Sequence, residues 1–353
     1  MRKQDYYEPD FDDVPRRSKK AKKRKRKQSG SRGERVVVTL LSLLFLTVAV
    51  VATVKYVVRA PEPVTDGEDQ QTQQDWAEDS DAIQTISNGR ERKSKYCYNI
   101  LLYGVDNDAG GSDTNMLMRF DAVNKTVDIV SLPRDTLMSN GHKLNSSYNN
   151  GGTEALRSNI EDMLGVPVDF YVSVDLKGFI ALIDQIDGVD FDVPEDMDYD
   201  DPYQDLHIHF KAGLQHLNGQ QAMEVVRFRH NNDNTGYGGQ QDLGRIGTQQ
   251  AFLKTVAQKL MKLENVPAMA ETFLKYVKTD LTLGNLMWLA NQALSMGGMD
   301  AISFATLPGD GSGWYKGMSV YALDPEQVLE MTNSMLNPYA TDITADDQNI
   351  LVP

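Results

Sequence analysis

Two short loops of this chain concentrate carboxylates: Gly104-Val-Asp106-Asn-Asp108 and Gly110-Gly-Ser-Asp113-Thr114. The first follows an apolar run and the second precedes one. An acid leaving one strand and an acid entering its neighbour can converge on a hard cation, with water and phosphate oxygens completing the shell. That donor set suits magnesium, although aspartate in a glycine-rich loop serves plain turn chemistry equally well. The chain also carries arginines where elements should begin or end: Arg119 in Met-Leu-Met-Arg-Phe-Asp, Arg134 in Ser-Leu-Pro-Arg-Asp, Arg227 and Arg229 in Val-Val-Arg-Phe-Arg-His, and Arg245 in Asp242-Leu-Gly-Arg. A guanidinium engages phosphate in a forked geometry, and several together would neutralise a pyrophosphate. Singly, each reads as a surface ion pair.

Positioning these groups needs an α/β framework. Tyr98 to Val105, Asn115 to Phe120 and Val127 to Leu132 are strand candidates, the last two joined by Asp-Ala-Val-Asn-Lys as an antiparallel hairpin. A helix is predicted over Thr153 to Leu164, and Leu176, Phe179, Ile180, Ile183 and Ile186 fall on one helical face. Val189 to Val193 and His207 to Phe210 return to strand character. Further helices are expected at Gly219 to Arg227 behind an Asn218 cap, Gly247 to Leu263, Leu283 to Leu294 and Pro325 to Leu336, with a late strand at Ile302 to Leu307. The expected fold is a single αβα-sandwich domain with a mixed central sheet. His207 and His209 alternate on one strand face beside Asp205, a pattern that serves a rim or a metal pair. Glu195 to Asp205, acidic and with two tyrosines, reads as a mobile loop over the site.

Charge divides the chain. Its 353 residues carry a formal net charge of -14. The segment 1–35 is basic, near +8, leaving about -22 on the remainder. So acidic a surface repels nucleic acid, which makes an arginine cluster within it a local anion site. One cysteine, Cys97, excludes an intrachain disulfide and reads as a packed thiol. Val36 to Val54 is apolar, extends through Val58, and has a basic flank before it and an acidic, Gln-rich stretch after it. That pattern predicts one N-terminal transmembrane helix with a cytoplasmic N-terminus. The expected layout is a basic cytoplasmic tail (1–35), the transmembrane helix (36–58), a flexible linker (59–95), a catalytic domain (96–340) and a C-terminal tail (341–353).

The segments Tyr-Gly-Val-Asp106, Gly-Ser-Asp113-Thr, Val-Ser-Leu-Pro-Arg134-Asp-Thr, Lys143-Leu-Asn-Ser-Ser-Tyr-Asn-Asn-Gly-Gly152, Gly213-Leu-Gln-His-Leu-Asn-Gly-Gln-Gln-Ala222, Arg227-Phe-Arg-His and Asp242-Leu-Gly-Arg-Ile-Gly-Thr-Gln-Gln250 follow one another in an order that resembles the LytR-CpsA-Psr family. The resemblance covers roughly Tyr98 to Leu260. It implies an extracytoplasmic, membrane-anchored phosphotransferase of a Gram-positive-type envelope. Such an enzyme moves a glycopolymer from a polyprenyl-pyrophosphate carrier onto peptidoglycan. By position, Asp106 and Asp113 would hold Mg2+, Arg119, Arg134, Arg227, Arg229 and Arg245 would bind the pyrophosphate, and Asp242 would act as general base or orient Arg245. Only six residues separate Asp106 from Asp113, so Asp108 is an alternative ligand, and Asn231 to Gln241 is longer than the family pattern. The competing readings are a polyprenyl-pyrophosphate hydrolase and a non-catalytic cell-wall regulator.

Overall fold

The computed structural model describes residues 58–62, 86–87, 90–105, 111–262, 269 and 273–353. The predicted basic tail and transmembrane helix lie outside these residues apart from Val58, and among the described residues no helix is long and apolar enough to cross a membrane.

A two-stranded ribbon, β1 (Ile86–Ser87) and β2 (Arg90–Glu91), precedes an antiparallel meander of β3 (Cys97–Val105), β4 (Ser112–Asp121) and β5 (Thr126–Ser131). Helix α1 (Leu144–Leu164) leads to β6 (Phe170–Asp175) and α2 (Leu176–Gln185). Next come β7 (Val189–Val193), β8 (Met197–Asp201), β9 (Leu206–Phe210), β10 (Gly213–Leu217), α3 (Gly219–Arg227) and α4 (Gln241–Leu260). The chain closes with β11 (Val277–Thr279), α5 (Leu283–Leu294), β12 (Ile302–Thr306), β13 (Gly309–Tyr315), β14 (Met318–Leu323) and α6 (Pro325–Met331).

The central sheet has the order β11-β6-β3-β4-β5-β12. It is mixed, because β3 pairs parallel with β6 and β5 parallel with β12, while the other pairs run antiparallel. Alternation along the strands gives each face its own core. Leu101, Tyr103, Leu117 and Val130 pack on α1 through Leu156 and Ile160. On the other face, Ile100, Met116, Phe120 and Ile129 pack with Leu281 and with Leu289 of α5. Helices therefore cover both faces, as the expected sandwich requires. A third cluster joins α2, α3 and α4 to the small β7–β10 and β8–β9 ribbons around Phe191, Ile208 and Phe252.

The structure departs from the sequence expectations in four places. Helix α1 begins nine residues before Thr153, at Leu144, and crosses a kink at Gly151 and Gly152, the pair that reads as a helix break. The segment Glu195 to Asp205 is no loop; its middle is β8, whose Met197 is buried in the third cluster. The folded domain starts before Tyr96, because Arg92 is buried and Arg90 pairs with Asp347 at 2.9 Å. The segment 341–353 lies along the domain, with Ile343 buried and the Asn349 N–H donating to the Asp162 carbonyl at 2.9 Å.

Candidate functional site

Asp113 owes its direction to a defect in the sheet. The β3–β4 register pairs Gly104 with Thr114 and Val105 with Ser112, leaving Asp113 as the extra residue of a bulge. A bulge re-aims the side chain it carries, and here the carboxylate meets Arg134 in an ion pair. Arg134 follows β5 in a turn that the Thr136 N–H closes onto the Pro133 carbonyl at 3.0 Å. The Arg134 carbonyl accepts from the Asn145 N–H at 3.0 Å, which ties the turn to the start of α1. Asp135 receives Arg134 Nε at 3.5 Å and Lys143 Nζ at 3.3 Å.

The second half of the site comes from α3 and α4. Asn218 caps α3 by a reciprocal box with Gln221, and the helix ends at Arg227. Phe228 then leaves in extended geometry with its ring fully buried. Extended backbone puts residues two apart on one side, so Arg227 and Arg229 face together. Arg245 lies one turn into α4, three residues after Asp242. Asp242 Oδ1 is 3.2 Å from Arg245 Nη2 and 3.6 Å from Arg229 Nε. The start of α4 is seated on Tyr237: a Cβ at Gly244 would lie 2.1 Å from its ring, and its hydroxyl meets Thr248 Oγ1 at 2.8 Å.

Arg245 is the deepest cation of the group. Its side chain is 7% exposed, and its Nε is buried without a hydrogen-bond partner. Burial and then the neighbouring Arg229 charge lower its pKa to about 10, with Asp242 pulling the other way. It stays charged at neutral pH.

Asp113, Arg134, Arg227, Arg229 and Arg245 all border one cavity of about 890 Å³. Beyond this charged rim its wall is apolar, with Val172, Phe179, Ile183, Phe252, Val256 and Leu286 among the lining residues. A smaller recess of about 100 Å³ shares Asp113, Arg134 and Arg245 and adds Asp135, Asp242 and Ser319. The same charged groups therefore border both a large, mostly apolar cavity and a small recess.

Of the predicted site residues, the structure brings together Asp113, Arg134, Arg227, Arg229, Asp242 and Arg245. Arg119 does not join them. Six residues along β4 from Asp113, roughly 20 Å of strand, it pairs with Asp128 at 2.6 Å and donates to the Asn337 carbonyl at 3.4 Å. Asp106 and Asp108 lie outside the described residues. Asp113 borders the cavity as a hard oxygen donor, which fits an Mg2+ that takes one or two carboxylates and completes its shell with phosphate and water. Sequence reasoning missed two polar groups here. Gln249, four residues after Arg245 on the same helical face, donates to Thr114 Oγ1 at 3.1 Å and to the Val226 carbonyl at 3.2 Å; the helical period was the available signal. Gln204 at the β8–β9 turn accepts from Arg227 Nη2 at 2.5 Å, a contact that no local pattern announces.

The sequence profile of the LytR_cpsA_psr family matches residues 63–337. The chain is 30% identical over 267 residues to the polyisoprenyl-teichoic acid–peptidoglycan teichoic acid transferase TagV of Bacillus subtilis, covering 70% of this chain and 66% of TagV. It is 30% identical over 194 residues to the regulatory protein MsrR of Staphylococcus aureus, covering 52% of this chain and 56% of MsrR. The chain thus spans less than two thirds of the length of these curated relatives. The crystal structure of B. subtilis TagV superposes with a TM-score of 0.58 at 26% identity, covering 67% of this chain and 95% of that one.

Proposed function

The chain belongs to the LytR-CpsA-Psr family, and from that premise we propose that it is an extracytoplasmic, Mg2+-dependent phosphotransferase. In this reading it takes a phosphoglycosyl polymer from a polyprenyl-pyrophosphate carrier and joins it to peptidoglycan. The observation that carries the reading is the convergence of four arginines and Asp113 at the rim of a single apolar cavity. An anionic head with a long hydrocarbon tail matches that shape and polarity: the tail fills the apolar chamber, and the diphosphate meets the guanidiniums.

In-line displacement at the phosphorus nearest the glycan needs positioning and charge neutralisation more than covalent help from the protein. Arg134, Arg227, Arg229 and Arg245 hold the diphosphate and stabilise charge gathering on its oxygens as polyprenyl phosphate leaves. Asp113, together with Asp106 from the β3–β4 connection, would hold the Mg2+, which supplies Lewis-acid charge to the phosphate oxygens when bound. The acceptor hydroxyl attacks that phosphorus and gives up its proton to solvent as the bond to polyprenyl phosphate breaks. Asp242 is engaged by Arg229 and Arg245 together, which suits it to orienting those cations.

The test is transfer by the full chain in membranes, supplied with lipid-linked glycopolymer and with or without peptidoglycan. The expected result is polymer joined to peptidoglycan and free polyprenyl phosphate, both dependent on Mg2+. Release of the polymer at the same rate with no peptidoglycan present would replace this reading with hydrolysis.

A further inference from the structure

The β8–β9 hairpin has two unlike faces. Its inner side places Met197, Tyr199, Leu206 and Ile208 toward the third hydrophobic cluster, and Tyr199 and Leu206 also border the large cavity. Its outer side presents Asp198, Asp200, His207 and His209 to solvent. The register sets Asp200 opposite His207 and Asp198 opposite His209, so four ligand-bearing side chains share one small patch.

Without an ion, the side chains of that patch hydrogen-bond to one another, and their ligand atoms lie close enough to share one. Asp200 Oδ1 is 2.5 Å from His207 Nδ1 and 3.3 Å from His209 Nε2. One ligand atom from each of Asp200, His207 and His209 lies within 4.8 Å of the others. A tetrahedral zinc ion with bonds of about 2.1 Å holds its ligands about 3.4 Å apart, so small side-chain rotations convert the patch into a site. Asp198 Oδ1, 2.8 Å from His209 Nδ1, and Asp205 Oδ1, 3.7 Å from His207 Nε2, stand beside it as orienting carboxylates. Two imidazoles and one carboxylate are a borderline-soft donor set, which favours zinc over magnesium.

The hairpin is also coupled to the cavity rim. Its turn residue Gln204 accepts from Arg227 Nη2 at 2.5 Å. The free edge of β8 is held by the loop after Arg229, where Asn231 Oδ1 accepts from the Asp198 N–H at 2.7 Å and Asn232 Oδ1 from the Asp200 N–H at 3.0 Å. We propose that Asp200, His207 and His209 bind one zinc-class divalent cation on the outer face of this hairpin, and that the cation fastens the two strands bordering the cavity. This cation site is independent of the proposed transferase activity.

The test is titration of the full chain with Zn2+, and with Co2+ as a spectroscopic stand-in, in excess Mg2+ to occupy hard oxygen sites. One equivalent of Zn2+ is expected to bind, to persist in Asp113→Asn, and to weaken roughly tenfold or more in His207→Ala and in His209→Ala. Both imidazoles are solvent-exposed, so these variants retain the fold. Wild-type stoichiometry in the double histidine variant, or no binding at about 100 µM Zn2+, an affinity weaker than roughly 5.5 kcal/mol, would overturn the site. Zinc should also slow amide exchange over residues 197–210. Unchanged exchange with the cation bound would overturn the fastening.

Discussion

Arg92 and Arg245 are both withdrawn from solvent, with side chains 1% and 7% exposed, yet their surroundings differ in sign. Arg92 meets Asp169 through both terminal nitrogens, one contact at 2.9 Å, and donates to the Cys97 carbonyl at 3.0 Å. Asp169 also accepts from the Asn99 N–H at 2.8 Å. Burial works against the Arg92 charge, but the hydrogen bonds and charge of Asp169 outweigh it and raise the pKa above the usual value. Arg245 has cations for company: burial and Arg229 press its pKa down, Arg134 adds to that, and the half-exposed Asp242 is its chief relief. A buried charge matched one to one serves the fold. A buried charge among like charges lacks that match within the fold, and in the proposed reaction the diphosphate supplies it.

The largest expected effect falls on the structural pair. Arg92→Ala strands Asp169 as a buried, unmatched charge and should cost about 3–5 kcal/mol of stability in denaturant unfolding. A loss below about 1 kcal/mol would put the pair in the class of surface salt bridges and dissolve the contrast.

Arg245→Ala should do the reverse. Transfer should fall about 100- to 1,000-fold, the scale for losing one preorganised charge-stabilising donor, while the melting temperature holds or rises. Arg245→Lys should recover only part of the activity, because an ammonium lacks the planar fork. If Arg245→Ala instead unfolds the protein with Arg92→Ala-like severity, the two arginines do the same job.

Inorganic pyrophosphate gives a sharper reading of the same difference. At about 100 times its dissociation constant it should stabilise the wild type by about 2.7 kcal/mol, and the Arg229→Ala/Arg245→Ala double variant by far less. The pH dependence follows from the depressed Arg245 value. Below about pH 10 the folded protein carries a charge it holds less comfortably than the unfolded chain does. That cost is relieved as pH rises through 10, where the folded form releases its proton first. Pyrophosphate affinity should therefore drop above about pH 10, and calorimetric titration across that range checks it.

The smallest effect on activity is expected at Arg119. Arg119→Ala should leave transfer within about twofold of wild type, yet cost about 1–3 kcal/mol by leaving the buried Asp128 without its partner. A large loss of transfer would return Arg119 to the site from which the structure separates it.

Much of this was legible in the residues. The apolar runs of the meander, the Asn218 cap before Gly219 to Arg227, and the helix from Leu283 to Leu294 are local consequences of side-chain character and capping, and the fold follows them closely. The arginines were visible as a class because a local excess of cations stands out in an acidic chain. Which of them would meet was not visible, since that depends on contacts between elements far apart in sequence. Arg119 and Asp113 share a strand, but a bulge turns Asp113 to the cavity while Arg119 finds Asp128 in the next strand. Arg92 sat in a segment that reads as a spacer, because its partner is 77 residues away. The β8 half of the β8–β9 hairpin read as an acidic loop until its apolar face found the third cluster.

By itself, then, the sequence determined most of the central strands and helices, the supply of guanidiniums and carboxylates, and the family they resemble. Only the tertiary structure decided which charges neutralise one another and which are left gathered at the mouth of a cavity. Secondary structure is a matter of neighbours along the chain, whereas burial and ion pairing join residues that sequence distance keeps apart.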